Sequence, residues 1–204
     1  VKSKNYSLSN NAKINYTGGI RTNYWDFNNE FFISPRLIIG YKPDWKKDFV
    51  FSASIGSYNQ SPFFREIRDK YGNINENIKS QKSVHYVLSS DYQFEMWNRS
   101  FKFNSAIYYK YLWDLIPYEI NNLQIHYLTN NIATGYAVGI DMKLFGEFVP
   151  GVDSWFSMSI LSTQEDILGD GHGFIPKPTD QRLKCSIFFQ DYLPRPPKYK
   201  VNLN

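Results

Sequence analysis

From position 83 to 94 the chain reads SVHYVLSSDYQF. Val84, Tyr86, Leu88, Tyr92 and Phe94 share one parity, and Ser83, His85, Ser89, Asp91 and Gln93 share the other. Successive side chains of a strand point to opposite faces, so this segment predicts a strand that is apolar on one side and wet on the other. The same period recurs about nine times along the chain. At 12–25, Ile14, Tyr16 and Ile20 oppose Lys13, Asn15, Thr17 and Arg21. At 30–42, Ile33, Leu37, Ile39 and Tyr41 oppose Ser34, Arg36 and Gly40, with Pro35 marking an edge or a bulge. Further strands follow. Phe49, Phe51, Ala53 and Ile55 form one apolar face, Phe101, Phe103, Ile107 and Tyr109 the next, and Tyr136, Val138, Ile140, Met142 and Leu144 another. Phe156, Met158 and Ile160, then Leu183, Cys185, Ile187 and Phe189, continue the series, and Tyr199 opens a last strand.

The connections carry a second pattern. Those near 45, 97, 152 and 195 are short, those near 70, 122 and 172 are long, and the one near 28 is short where the others on its side are long. Outer-membrane barrels have short periplasmic turns and longer outer loops. The expected fold is therefore all-β, an antiparallel up-and-down transmembrane β-barrel wall, with extracellular loops near 59–82, 114–131 and 164–180. The segment 114–131 reads as strand tips and a hairpin above the membrane. A soluble sandwich also alternates, but most strands here exceed its usual five or six residues and suit the roughly 9–11 of a tilted membrane strand.

Composition shifts the balance further. The 204 residues include 16 Tyr, 16 Phe and 5 Trp, and such rings favour the membrane–water boundary. Trp45, Trp97 and Trp155 lie beside the short turns and read as an inner-leaflet girdle. No apolar run reaches the roughly 18 residues of a membrane helix. Mean hydropathy is negative, but alternation hides the apolar character of barrel strands. The 23 basic and 19 acidic residues are interspersed, with no basic stripe for nucleic acid. Cys185 is the single cysteine; on the apolar parity it is an inert small hydrophobe. The start of the chain lacks a secretory signal, which for an outer-membrane protein implies a fragment with the signal upstream.

Candidate chemistry is sparse. EDILGDGHG, at 165–173, fails as an EF-hand because Leu168 and Lys177 occupy ligand positions counted from Asp166. Glu165, Asp166 and Asp170 could still form an irregular surface metal site, although a Gly/Asp turn is the favoured reading. His85, His126 and His172 lack zinc-binding spacing, and no GxSxG elbow occurs. Arg36, Arg182, Lys184, Lys143, Asp141, Asp91 and His85 fall on the polar parity, where they line either a solute path or a charge-balanced lumen. Phe63, Phe64 and Arg65, within NQSPFFREIRD, combine rings and charge in a long loop, a mix that suits carbohydrate or siderophore contact and equally a packed loop base.

Several segments resemble the β-barrel of TonB-dependent outer-membrane receptors in the form common among Bacteroidetes-type bacteria. They are ISPRLIIGYKP (33–43), YNQSPFFRE (58–66), KSVHYVLSSDYQF (82–94), YKYLWDLIPYEI (109–120), NNIATGYAVGIDMKLFGEFVPGVDSWFSMS (130–159), GDGHGFIPKPTDQR (169–182) and FFQDYLP (188–194). The resemblance implies non-enzymatic active uptake of a scarce nutrient: an iron chelate, cobalamin or an oligosaccharide. Its implied partners are outer-membrane lipid, that nutrient, a TonB complex acting through a plug domain this sequence lacks, and in some receptors a surface lipoprotein. No cofactor is implied. About nine strands are too few for a plugged barrel of roughly 22, so residues 1–204 would be part of one barrel domain. The rival readings are a passive porin or small closed barrel and, behind it, an outer-membrane hydrolase using a Ser/His pair.

Overall fold

The structure, a computed structural model, describes residues 1–7, 11–192 and 200–203, with Tyr192 and the last four as backbone only. It is built on one antiparallel sheet. The strands are β1 (Lys2–Ser7), β2 (Lys13–Trp25), β3 (Glu30–Lys42), β4 (Asp48–Gln60), β5 (Gln81–Met96), β6 (Arg99–Leu115), β7 (Tyr118–Asn121), β8 (Gln124–Tyr127), β9 (Ala133–Val149), β10 (Val152–Ile167), β11 (Ile175–Pro176), β12 (Leu183–Tyr192) and β13 (Lys200–Leu203). The main sheet runs β1-β2-β3-β4-β5-β6-β9-β10-β12-β13, with β11 against β10, while β7 and β8 form a separate hairpin. Each long strand pairs with the next long strand, the up-and-down order that alternation and short turns lead one to expect.

Local chemistry explains the tight turns. Trp97 and Asn98 both adopt positive φ, as do Asn122 and Leu123. Each pair closes a two-residue hairpin with the twist of a type I′ turn. Pro150–Gly151 joins β9 to β10, with proline fixing one φ and Gly151 at φ 76°. The turn at 26–29 stays short because Asn29 takes φ 58° and its side-chain oxygen accepts the Tyr24 hydroxyl at 2.7 Å.

The ladders show what the alternation becomes in three dimensions. Tyr16 pairs with Ile39, then in turn come Ala53, Leu88, Ile107, Ile140, Ile160 and Leu183. This one row crosses eight strands without a charged residue. A second row on the same face joins Phe49, Tyr92, Phe103, Leu144, Phe156 and Ile187. These side chains are not covered: Leu88 is 63 % exposed, Ile107 55 % and Leu183 62 %. The opposite face carries Asn15, Gly40, Ser52, Ser89, Ala106, Asp141, Ser159 and Lys184 in one row. Alternation has exceptions: Val87 and Ile38 share the polar face with Thr17, Ser54 and Tyr108, and Ser90 lies on the apolar one.

Rings fringe the apolar face at the short-turn end. Trp45, Phe49, Tyr92, Phe94, Phe101 and Phe148 form a chain of contacts with centroids 4.2–6.0 Å apart, and Trp97 meets Phe101 at 6.1 Å. Phe101 is buried because Gly146 faces it across the β6–β9 ladder; a Cβ there would lie 2.4 Å from the ring. Trp45 and Trp97 thus lie in this fringe of rings. Trp155 does not. Its parity, opposite to that of Phe156, places it on the polar face, between Phe145 and Phe188.

Other expectations also shift. β1 was not foreseen, since KSKNYS has no apolar period; it is held by its ladder to β2 and by side-chain contacts of Ser3, Asn5 and Tyr6 with that strand. The third long loop is shorter than 164–180: β10 continues to Ile167, and β11 folds back onto Gln164 and Glu165. The expected hairpin within 114–131 is β7–β8. The short turn expected near 195 lies outside the described residues. At the far end of the sheet, Ile67, Ile78 and Ile116 form a small core with Trp25 and Tyr127 packed against it. Among the described residues β1 and β13 do not pair with each other, so a closed barrel is not formed by these strands.

Candidate functional site

Pro35 shapes the region most able to bind a solute. β2 pairs with β3 along all of its residues, but the β3–β4 ladder stops at Arg36–Gly56. Proline offers no N–H, so the ladder to β4 has nothing to continue with at that position. Beyond it the two strands part, and the Asn59 amide donates to the Ser34 hydroxyl at 3.0 Å across the gap. A concavity of about 650 Å³ opens here on the polar face, at the long-loop end.

The register assembles its walls. Arg36, Gly56, His85 and Lys110 follow one another across β3, β4, β5 and β6. Gly56 has no side chain to fill this row: a Cβ would meet Tyr58 at 3.0 Å and Arg36 at 3.2 Å. Into that space folds the Tyr58 ring. The Arg36 guanidinium lies 4.3 Å from its centroid, and the His85 ring stacks at 4.2 Å. The Ser83 hydroxyl is 3.0 Å from His85 Nε2. Lys110 reaches over Tyr108 at 4.9 Å, and Arg21 donates to the Asn23 side-chain oxygen at 3.2 Å. Leu112, Ala137 and Leu161 supply an apolar floor.

The charge of this basin is one-sided. Lys82 at its edge is matched by Glu30 at 3.5 Å and Asp114 at 2.8 Å. Arg21, Arg36 and Lys110 have no carboxylate in ion-pair range among the described residues. A Ser/His hydrolase would need an acid to orient the imidazole. No carboxylate lines the basin among the described residues, and the cations beside His85 are Arg36 and Lys110.

A second concavity, about 490 Å³, lies farther along the same face and is charge-balanced. Asp91 accepts from Asn104 and pairs with Lys102 at 3.1 Å. Asp141 accepts from Ser159, while Lys143 lies over Trp155 at 4.6 Å, and Lys184 shares this region.

The predicted site residues therefore do not converge on one place. Arg36 and His85 meet in the first basin, whereas Asp91, Asp141, Lys143 and Lys184 belong to the second. Arg182 is turned onto Asp180 at 2.7 Å. Phe63 and Phe64 project from the loop that follows β4, and Arg65 lies over the Tyr127 ring at 5.6 Å, tying this loop to the β7–β8 hairpin. The neighbouring Glu66 accepts the Phe63 N–H at 2.8 Å. Asn131 completes the tie, donating to the Lys79 and Asp114 carbonyls at 2.8 and 2.7 Å and accepting the Lys79 N–H at 2.7 Å. This loop platform is a packed structure.

Glu165, Asp166 and Asp170 do not form a cage. Glu165 is buried against Lys177 at 3.0 Å, and Asp170 caps the backbone N–H of His172 at 2.9 Å. No group of three metal-ligating side chains converges among the described residues. Arg21, Tyr58 and Lys110 went unnoticed as a set because only the register brings β2, β4 and β6 to the same spot. The signal present in sequence was the shared polar parity of these residues with Arg36 and His85.

No family model, curated protein or solved structure matches the chain.

Proposed function

We propose that this chain is part of the wall of a TonB-dependent outer-membrane transporter, a non-enzymatic receptor that takes up a scarce nutrient. The observation carrying the membrane part of this reading is the exposed apolar face. Eight strands about 4.8 Å apart, with several apolar rows, give a patch on the order of 1,000 Å². Soluble monomers rarely expose more than about 300–600 Å² in one piece. Its height also suits lipid. Ten residue steps separate Val84 from Phe94; at about 3.3 Å each and a tilt near 45° they rise ~23 Å, against a barrel's apolar band of ~25 Å.

The remaining length has a use in this reading. β6 and β9 have 17 residues each, well beyond the roughly 9–11 needed to span, and the surplus would lift the loop platform above the outer leaflet. The polar face would line water. The edges β1 and β13 would need further strands, because unpaired backbone groups cannot face hydrocarbon. That requirement favours a large barrel over a small closed one, and energy-coupled uptake rests on the resemblance described above.

The membrane part is tested by fractionating cells that express the protein. A heat-modifiable species in the outer-membrane fraction is expected, and recovery as a soluble protein would contradict it. The TonB-dependent part is tested separately, by reading the parent polypeptide upstream of Val1. A plug-like domain is expected there; a barrel without one would be a passive pore, and it should then conduct ions in a planar bilayer.

A further inference from the structure

We infer that the loop-end basin on the polar face is a binding site for a solute carrying two separated anionic groups, carboxylates or phosphates. The inference deepens the transport reading and rests on its wetted polar face. Three features of the basin support it.

The first is charge without compensation. Elsewhere on the sheet Lys102 pairs with Asp91 and Lys42 with Asp48, and Lys82 at the basin's edge pairs with Glu30 and Asp114; Lys143 and Lys184 make no ion pair among the described residues but share their concavity with Asp91 and Asp141. Arg21, Arg36 and Lys110 line one concavity with no acid among the described residues. Cations that line one recess without acids raise its potential and concentrate counter-ions there. The second basin shows that mixed charge was available to the same face, since two Asp and two Lys line it together.

The second feature is preorganisation. Arg36 cannot swing freely, because its guanidinium lies on Tyr58, and Tyr58 is held flat between Arg36 and His85 over the bare backbone of Gly56. An arginine so stacked keeps the edge of its fork free for oxyanions, and little rotamer entropy remains to be lost on binding.

The third is spacing. Arg36 and Lys110 stand on β3 and β6, three inter-strand steps apart. At about 4.8 Å per step their Cα atoms are ~14 Å apart, and the stacked Tyr58 and His85 rings stand between the Arg36 guanidinium and the strand that carries Lys110. A solute with an anion at each end would span them, its middle lying over the Tyr58–His85 stack and the apolar floor of Leu112 and Leu161. The basin opens toward the loop end, the side from which the transport reading brings its solute.

The test titrates the full-length protein in detergent at low ionic strength with suberate, a long dicarboxylate, and with fructose 1,6-bisphosphate, using glucose as the uncharged control. Saturable binding of at least one anion is expected, with glucose silent, and which anion binds tells carboxylate from phosphate. Arg36→Gln combined with Lys110→Gln should weaken that binding by about tenfold or more, as lost charge-assisted contacts do. Lys143→Gln combined with Lys184→Gln should leave it unchanged. If the first pair fails to give the heat-modifiable species, Lys110→Gln alone is used, since Lys110 contacts only a ring. Binding of neither anion would overturn the inference, as would binding that both double variants leave intact. Either failure is distinct from failure of the membrane reading, which shows in fractionation.

Discussion

Leu88 and Ser89 are neighbours in the chain, yet they face opposite worlds. Leu88 belongs to an apolar row that crosses eight strands and stays exposed. Ser89 belongs to a row of small and polar side chains on the other face, leading to Asp141, Ser159 and Lys184. In a sandwich the apolar face would be the buried one, covered by a second layer. Here no second layer among the described residues covers the sheet's apolar rows, and the packed core, Ile67, Ile78 and Ile116, sits at one end of the sheet. Exposure of this kind is costly in water and costs nothing in hydrocarbon. The difference between the faces thus says more about the solvent of this protein than any single side chain does.

The largest effect should come from charging the apolar row. In lipid, Leu88→Arg is expected to cost about 2–4 kcal/mol, as lipid-facing arginine does near the midplane, while Ser89→Arg should cost well under half of that. Urea titration of the lipid-folded protein measures both, and equal losses would break the comparison. Next comes the ring fringe. Gly146→Val would drive a side chain into Phe101, and overpacking of this kind costs about 1–3 kcal/mol. The same titration reads it, and Phe101→Ala should relieve part of the loss when the two changes are combined.

Changes to the loop platform should leave both faces untouched. Asn131→Ala removes two donated bonds and one accepted bond between 79, 114 and 131. A local loss of about 1–3 kcal/mol is expected, seen as faster hydrogen exchange in 61–80 and 116–132 with unchanged exchange in β5 and β6. The smallest effect is expected from Asp91→Asn. Its ion pair with Lys102 is open to solvent on both sides, and such pairs contribute about 0–1 kcal/mol. A larger loss in the urea midpoint would mean that the polar face is drier than its side chains suggest.

What could be read from sequence followed from period two. The face of nearly every long strand was legible, because lipid or core burial writes itself into alternate positions. Trp155 was misplaced because proximity to a turn says nothing of parity. β1 escaped because Lys2–Ser7 has no apolar period and owes its shape to β2. The basin was only half legible. Arg36 and His85 carried the right parity, but parity does not give register, and it is register that sets Lys110 beside His85 and Gly56 between His85 and Arg36. The loop core was hidden for a related reason: Ile67, Ile78 and Ile116 come from two loops and follow no local pattern.

The central claim is that one face of this sheet meets lipid and the other meets water. The direct measurement is nitroxide scanning of 83–94 in the membrane-inserted protein, reading collisions with oxygen, which partitions into lipid, and with a water-soluble nickel complex. The account predicts a period of two: oxygen access peaking at 84, 86, 88, 92 and 94, and nickel access at 83, 85, 89, 91 and 93. Equal nickel access at both sets, or a flat profile without that period, would contradict it.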